Sequence, residues 1–395
     1  MFRRGRSVRL SALLFSLLAA VSACGNVAVG PLPVVAGDYP VHPLLSTLCP
    51  PPSVHTVTGF AGGGQILGYQ PGWGILVGAN HHGGPGAHSQ YQPGLYLVNA
   101  ASGAVTRLTA LALANGQSVQ AVIGDGWVVW LRAAPAGVGP WSLQALNLAT
   151  HRQQTVDRGM AETRPFAAQF GPQRLTIIGD TLYFLLVTPE RSAVLAYDFA
   201  TGSLRTVLAL PAKGGRQILT MAATASGLTY VVGSAASAGG VAAGEVYSLP
   251  FASGQSIPLL KQKNAAYALA VDGSTLALAL YNPSIPFQRV LPYSSIVLFR
   301  PGATALTDVA IMPGIRGTPQ FWSHYLVWGA EPDRGGVLDL ATNQVYVLPN
   351  LGLFFSLGVY NGILGWTGAL FKPAPTGSSA AVTVVQDISW CSLAG

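Results

Sequence analysis

Asp339-Leu340-Ala341-Thr342-Asn343-Gln344-Val345 is entered by alternating apolar residues and left through Val345-Tyr346-Val347-Leu348. A short polar turn with Gly or Asn between two runs of period two reads as an antiparallel hairpin. The same figure stands at Tyr197-Asp198-Phe199-Ala200-Thr201-Gly202-Ser203-Leu204, at Leu146-Asn147-Leu148-Ala149-Thr150-His151-Arg152 and at Val98-Asn99-Ala100-Ala101-Ser102-Gly103-Ala104-Val105. Looser copies occur at Leu249-Pro250-Phe251-Ala252-Ser253-Gly254 and Phe299-Arg300-Pro301-Gly302-Ala303-Thr304. One hairpin recurring through 395 residues marks a repeat architecture.

Ahead of the repeats lies an address. Arg3, Arg4, Arg6 and Arg9 precede an apolar run, Leu10 to Ala20, that is too short to span a bilayer as a mature helix. It ends in Val21-Ser22-Ala23-Cys24. Small residues before a Cys resemble the lipobox of bacterial lipoproteins. The resemblance implies a signal peptide over 1–23, cleavage before Cys24, acylation of its thiol and an extracytoplasmic, membrane-anchored protein. Residues 24–50, rich in Pro, Val and Gly without periodicity, are then expected to be a flexible tether.

Of 21 Lys and Arg, four precede Cys24, so 17 remain against 14 Asp and Glu, a net of +3. No basic stripe or polybasic arm emerges, which argues against nucleic acid as a partner. Only 9% of residues are charged while 50% are hydrophobic, with no second long apolar segment. Many Gly and Pro with that apolar content suit a densely packed all-β domain.

Seven runs read as second strands of successive units. They are Trp73 to Val77, Trp127 to Leu131, Leu182 to Val187, Leu228 to Val232, Leu276 to Leu280, Tyr325 to Trp328 and Ile363 to Trp366. Tight-turn pairs precede most of them: Asp125-Gly126, Asp180-Thr181, Ser226-Gly227, Asp272-Gly273 and Asn361-Gly362. Seven four-stranded units over 51–395 read as a seven-bladed β-propeller. The last unit has a third strand, Ala381 to Ile388, and no room for a fourth, whereas Val54 to Phe60 is one strand too many at the start. An N-terminal strand completing the last blade would close the ring and leave no open edge there. Cys49 and Cys391 remain after Cys24, and an oxidising compartment favours their pairing where other blades turn from third to fourth strand.

Candidate chemistry gathers on the long loops. Arg158, Arg164, Lys213, Arg216, Arg289, Arg316, Arg334 and Lys372 suggest an electropositive face for an acidic protein surface or an anionic glycan. His81, His82 and His88 crowd a Gly-rich loop, but their spacing fits no structural zinc pattern. Glu162 with Glu331 or Asp333 would be needed for a glycan hydrolase or lyase. No nucleophile elbow, alternating-Asp calcium loop or phosphate loop stands in the chain, and no cofactor is expected.

The Asp-x-Ala-Thr-Gly/Asn turns resemble those of periplasmic propellers of the TolB, YVTN and quinoprotein types. The Trp-Asp ends of WD40 blades, the paired glycines of kelch and the Trp-docking motif of quinone dehydrogenases are missing, so no functional residue transfers. The expectation is a monomeric binding or scaffold module of the cell envelope. The alternatives are a glycan-active hydrolase or lyase, or a quinone-dependent dehydrogenase, with its site in the central funnel.

Overall fold

Seven antiparallel sheets hold the period-two runs, each built on a four-stranded meander. The computed structural model describes residues 34–35, 39–50, 53–60, 64–79, 91–111, 119–133, 139–161, 171–212, 215–234, 244–262, 266–282, 293–300, 306–313, 318–329, 335–347, 353–373 and 382–393. Blade 1 comprises Gly64–Gln70, Gly74–Ala79, Gly94–Val98 and Val105–Ala110. Blade 2 comprises Ala121–Gly124, Trp127–Ala133, Gly139–Asn147 and Gln153–Ala161. Blade 3 is Gly171–Ile178, Thr181–Val187, Arg191–Asp198 and Ser203–Pro211. Blade 4 is Arg216–Thr224, Gly227–Ser234, Gly244–Pro250 and Ile257–Gln262. Blade 5 follows with Ala266–Asp272, Thr275–Asn282, Tyr293–Phe299 and Thr307–Pro313. Blade 6 contains Gln320–Trp322, Tyr325–Trp328, Gly336–Asp339 and Gln344–Val347. Blade 7 contains Leu353–Tyr360, Ile363–Pro373 and Val382–Ser392, with His55–Thr58 as its fourth strand.

The first strands of consecutive blades touch in a ring, and that of blade 7 touches that of blade 1. The core is correspondingly divided. Seven apolar clusters each lie between two neighbouring blades, the 7–1 interface included. This is why the second strands are apolar without alternation, as in Gly74–Ala79 and Tyr325–Trp328, buried throughout. Both faces of such a strand meet a neighbouring sheet.

The Asx turn that defines the repeat joins these interfaces. The side-chain Oδ1 of Asn99, Asn147, Asp198 and Asp339 accepts backbone N–H groups two or three residues on, at 2.8–3.2 Å. The residue after the third strand then donates its amide to the preceding hairpin of the same blade. Leu148 binds the Gly126 carbonyl, Phe199 that of Asp180, Phe251 that of Ser226, Leu340 that of His324 and Leu393 that of Gly362, at 2.8–2.9 Å. Their side chains pack between that blade and the one before it. Phe199 stacks on Trp127 at 4.2 Å and Phe251 on Tyr183 at 5.5 Å.

Closure takes the expected form. His55–Thr58 pairs antiparallel with Asp387 to Trp390, Thr56 Oγ1 lies 2.9 Å from Ser389 Oγ, and His55 stacks on Trp390. Trp390 Nε1 donates to the Ala100 carbonyl of blade 1, Tyr360 Oη to Ile66 and Asn361 Nδ2 to Tyr69. Gly365 permits this approach, because a Cβ there would stand 2.5 Å from Ile66 Cδ1. Cys49 and Cys391 form a disulfide with Cα atoms 5.8 Å apart across 342 residues.

Several expected boundaries move. The third strand of blade 7 runs on to Ser392, so Cys391 stands within it, opposite Leu364, and not in a turn beyond it. The Asp125-Gly126 and Asn361-Gly362 turns fall as expected, with both residues of each at positive φ. The other turns are Gly179-Asp180, Ala225-Ser226 and Gly273-Ser274, one residue earlier or later, because pairing in the flanking strands sets the register. Trp73 precedes its strand and is partly exposed. The expected tether over 24–50 is not free along its whole length. Val41–Pro43 lies parallel to Val345–Val347 on the open edge of blade 6, and Val345 N donates to the Pro40 carbonyl. A single helical turn, Leu44–Thr47, follows. Leu44 is fully buried between blades 6 and 7, which contributes about 2 kcal/mol. Its three-residue pairing is too short to show in sequence as a period.

Two outcomes follow for stability. Reducing the Cys49–Cys391 bond should lower the free energy of unfolding by up to about 5 kcal/mol, the chain-entropy value for so long a loop, as read by urea titration with and without reductant. Phe199→Ala should cost about 3–4 kcal/mol through the lost stack and cavity, checked by the same titration.

Candidate functional site

A four-stranded meander puts its first and third connections at one end and its second connection, with the link to the next blade, at the other. The first end is a face of tight turns, and turn chemistry claims its acids. Asp125, Asp180, Asp198, Asp272 and Asp339 stand in or beside these turns. Accepting the Thr201 and Ala200 amides pulls the Asp198 carboxyl below its ordinary value. The opposite end, the loop face, carries Arg158, Arg174, Arg191 and Arg216 together with Glu190 and Glu245, while Arg152 and Arg300 stand beside the tight turns.

Between blades 2 and 3 lies a cleft of about 410 Å³ that runs from Thr188 and Arg191 at the loop end to Leu204 and Arg205 near the tight turn. Arg158 and Asp157 come from the last strand of blade 2, and Arg191 and Arg205 from blade 3. Trp141 and Leu186 line it, and Met160 and Leu204 are 69% and 40% exposed at its lip. Bulges place these groups. One falls between Leu143 and Gln144 of blade 2, opposite Asp157 and Thr155, and another between Val194 and Leu195 of blade 3. A bulge re-aims the side chains beside it and ends strict alternation. Arg158 therefore projects from a strand rather than from the long loop expected there. Among the described residues, Arg158, Arg191 and Arg205 form no ion pair. Partial burial pushes the Asp157 carboxyl up, against the amide of Arg158 that donates to its Oδ1 at 2.8 Å.

Arg216 behaves differently. Its Nη2 meets Glu245 Oε2 at 2.6 Å, and Lys261 Nζ stands 3.6 Å from Oε1. The Tyr247 hydroxyl donates to the same carboxylate at 2.7 Å, and with Arg216 it holds Glu245 below its ordinary value. Its charge is thus matched locally on blade 4.

A further cation occupies the mouth of the central channel. Arg174 stands in the bulge between Gln173 and Thr176 on the first strand of blade 3. Its Nη2 donates to the Tyr267 carbonyl of blade 5 at 2.6 Å, and Nη1 to Thr318 Oγ1, ahead of blade 6, at 3.4 Å. A bond from blade 3 to blade 5 passes over blade 4, so it crosses the channel. Water still reaches part of the side chain, while protein crowds it enough that desolvation lowers its pKa. Sequence reasoning passed over Arg174; the one signal was a polar pair, Gln173-Arg174, interrupting a β run.

Of the other candidates, Cys24, Arg164, Lys213, Arg289, Arg316, Arg334, His81, His82, His88, Glu162, Glu331 and Asp333 lie outside the described residues. Lys372 belongs to the long second strand of blade 7, opposite Thr383. Among the described residues no cluster of three metal-ligating side chains occurs, and no helix is long and apolar enough to cross a membrane.

No protein-family model matches the chain, and no curated protein matches it in sequence. Solved structures do. The chain is similar to the β-propeller domain of the trilobed protease from Pyrococcus furiosus, whose topology is described as open velcro, at 10% identity and TM-score 0.50, over 84% of this chain and 94% of that one. TolB from Acinetobacter baumannii is similar at 12% identity and TM-score 0.42, over 86% and 83%. BamB from Moraxella catarrhalis follows at 14% and 0.43, over 83% and 84%. Likeness at these identities concerns the fold alone: a β-propeller, here with its last blade closed by the N-terminal strand.

The raised pKa of Asp157 carries a sign. The folded state keeps its proton to higher pH than the unfolded chain, so stability falls as pH rises from about 3.8 through the raised value, and the penalty persists above it. Asp157→Asn keeps the Oδ1 acceptor and drops the charge. It should be more stable than the parent at pH 7, with the difference vanishing at pH 3, as measured by paired denaturant titrations.

Proposed function

We propose that the protein is a lipid-anchored, extracytoplasmic propeller serving as a binding or scaffold module of the cell envelope, with the loop face receiving an acidic protein surface or an anionic glycan. The observation that carries this reading is the cleft between blades 2 and 3, where Arg158, Arg191 and Arg205 gather. Arg158, Arg191 and Arg174 stand without a carboxylate partner within 4.0 Å among the described residues. The cleft adds apolar surface at Met160 and Leu204, which suits an amphipathic partner better than a bare polyanion. A cation at the channel mouth favours binding over the paired carboxylates that glycoside hydrolysis requires. Anchoring through Cys24, the monomeric state and the envelope location extend the reading from the sequence.

The test is binding of the mature protein to a soluble polyuronate and to an acidic polypeptide, each against a neutral counterpart, at 50 and 200 mM salt. Affinity for an acidic ligand should fall steeply with salt, and Arg158→Glu with Arg191→Glu should weaken it at least tenfold. Equal affinity for neutral and acidic polymers would overturn the reading. For the anchor, the intact mass of the membrane form should show a diacylglycerol-modified Cys24, and an unmodified soluble product would refute it.

A further inference from the structure

The channel mouth holds a cation whose setting the fold does not require. Bulges of the same kind interrupt the first strands of blades 1, 4 and 5, where Leu67, Leu219 and Tyr267 are the extra residues. None of those three is at positive φ, whereas Arg174 is at +53°. A left-handed backbone at a non-glycine residue costs on the order of 1 kcal/mol or more, and it persists where its surroundings hold it. Here the result is to direct a guanidinium across the channel.

Among the described residues that guanidinium is incompletely engaged. Its two contacts there, the Tyr267 carbonyl and the Thr318 hydroxyl, are both neutral. A guanidinium carries five N–H donors in a planar fork that matches a carboxylate. The ion pairs among the described residues fall on Glu245 and Asp339, so no described carboxylate lies within 4.0 Å of Arg174. A crowded cation without a counter-charge is costly. A planar anion placed against the free edge of the fork would remove that cost.

We propose that Arg174 anchors a carboxylate-binding site at the mouth of the channel. The carboxylate comes either from a free small acid or from an acidic side chain or chain end of a partner. The site stands on its own, whether or not the loop face also docks a macromolecule.

Calorimetric titration of the full mature chain at fixed ionic strength tests this. The probes are acetate, succinate and a tetraglutamate peptide, with acetamide, succinamide and tetraglutamine as neutral controls. At least one carboxylate should bind saturably and its amide should not. Binding by acetate or succinate identifies a free acid as the source, and binding by the peptide alone identifies a partner's acid. Arg174→Met should lower the affinity at least tenfold, and Arg174→Lys should restore only part, since an ammonium lacks the fork. No saturable carboxylate binding, or unchanged affinity in a folded Arg174→Met protein, would overturn the site. If that variant does not fold, wild-type crystals grown in bromide decide. An anomalous peak within hydrogen-bond distance of the Arg174 guanidinium supports the site, and its absence refutes it.

Discussion

A single backbone amide, repeated, holds the blades in place. After the third strand, the amide of Leu148, Phe199, Phe251, Leu340 or Leu393 bonds to the hairpin of its own blade, and the side chain enters the interface with the blade before. In blades 2, 3 and 6 the residue just ahead of it, Asn147, Asp198 or Asp339, turns the chain by capping the following amides. One short motif therefore sets the turn, ties two hairpins and fills an interface. A four-stranded sheet alone cannot bury both of its faces. Stacked at this spacing, seven of them can.

Such an array is only as stable as its ends, and here the ends are joined. The last blade has three strands from the C-terminal segment and borrows its fourth from His55–Thr58. Leu393 repeats the clasp of blades 2, 3, 4 and 6. The interface between blades 7 and 1 is packed with Phe60, Ile66, Ile388 and Trp390, as densely apolar as the rest. The disulfide fixes the borrowed strand beside its partner, and the segment on blade 6 seats Leu44 under the same corner. Three devices of different chemistry converge on one seam.

The repeat, the blade number and the borrowed strand were legible because each rests on a local rule: Asx turns, Asp-Gly and Asn-Gly hairpins, and apolar second strands. Boundaries were less legible, since sheet register and not turn composition decides whether Gly179-Asp180 or Asp180-Thr181 forms the hairpin. The docking of Val41–Pro43 left no trace in sequence, because three paired residues, preceded by Pro40 and ending in Pro43, show no period. The site was legible only in outline. Arg158 could be picked out as basic, but the bulges that gather Arg158, Asp157 and Arg191 into a cleft, and turn Arg174 into the channel, arise from tertiary pairing. A sequence pattern does not announce them.

The same turn rules place many of the aspartates. Asx turns and tight hairpins take up Asp125, Asp180, Asp198, Asp272 and Asp339 at one end of blades 2, 3, 5 and 6. The clasps, the borrowed strand and the disulfide make the ring one closed unit. Native-state hydrogen exchange on the oxidised protein tests this most directly. The amides of Leu148, Phe199, Leu340 and Leu393 should all exchange with the free energy of global unfolding. Exchange at Leu393 and Ser389 that is easier by several kcal/mol than at Leu148 and Phe199 would show that blade 7 opens alone, and would contradict the account.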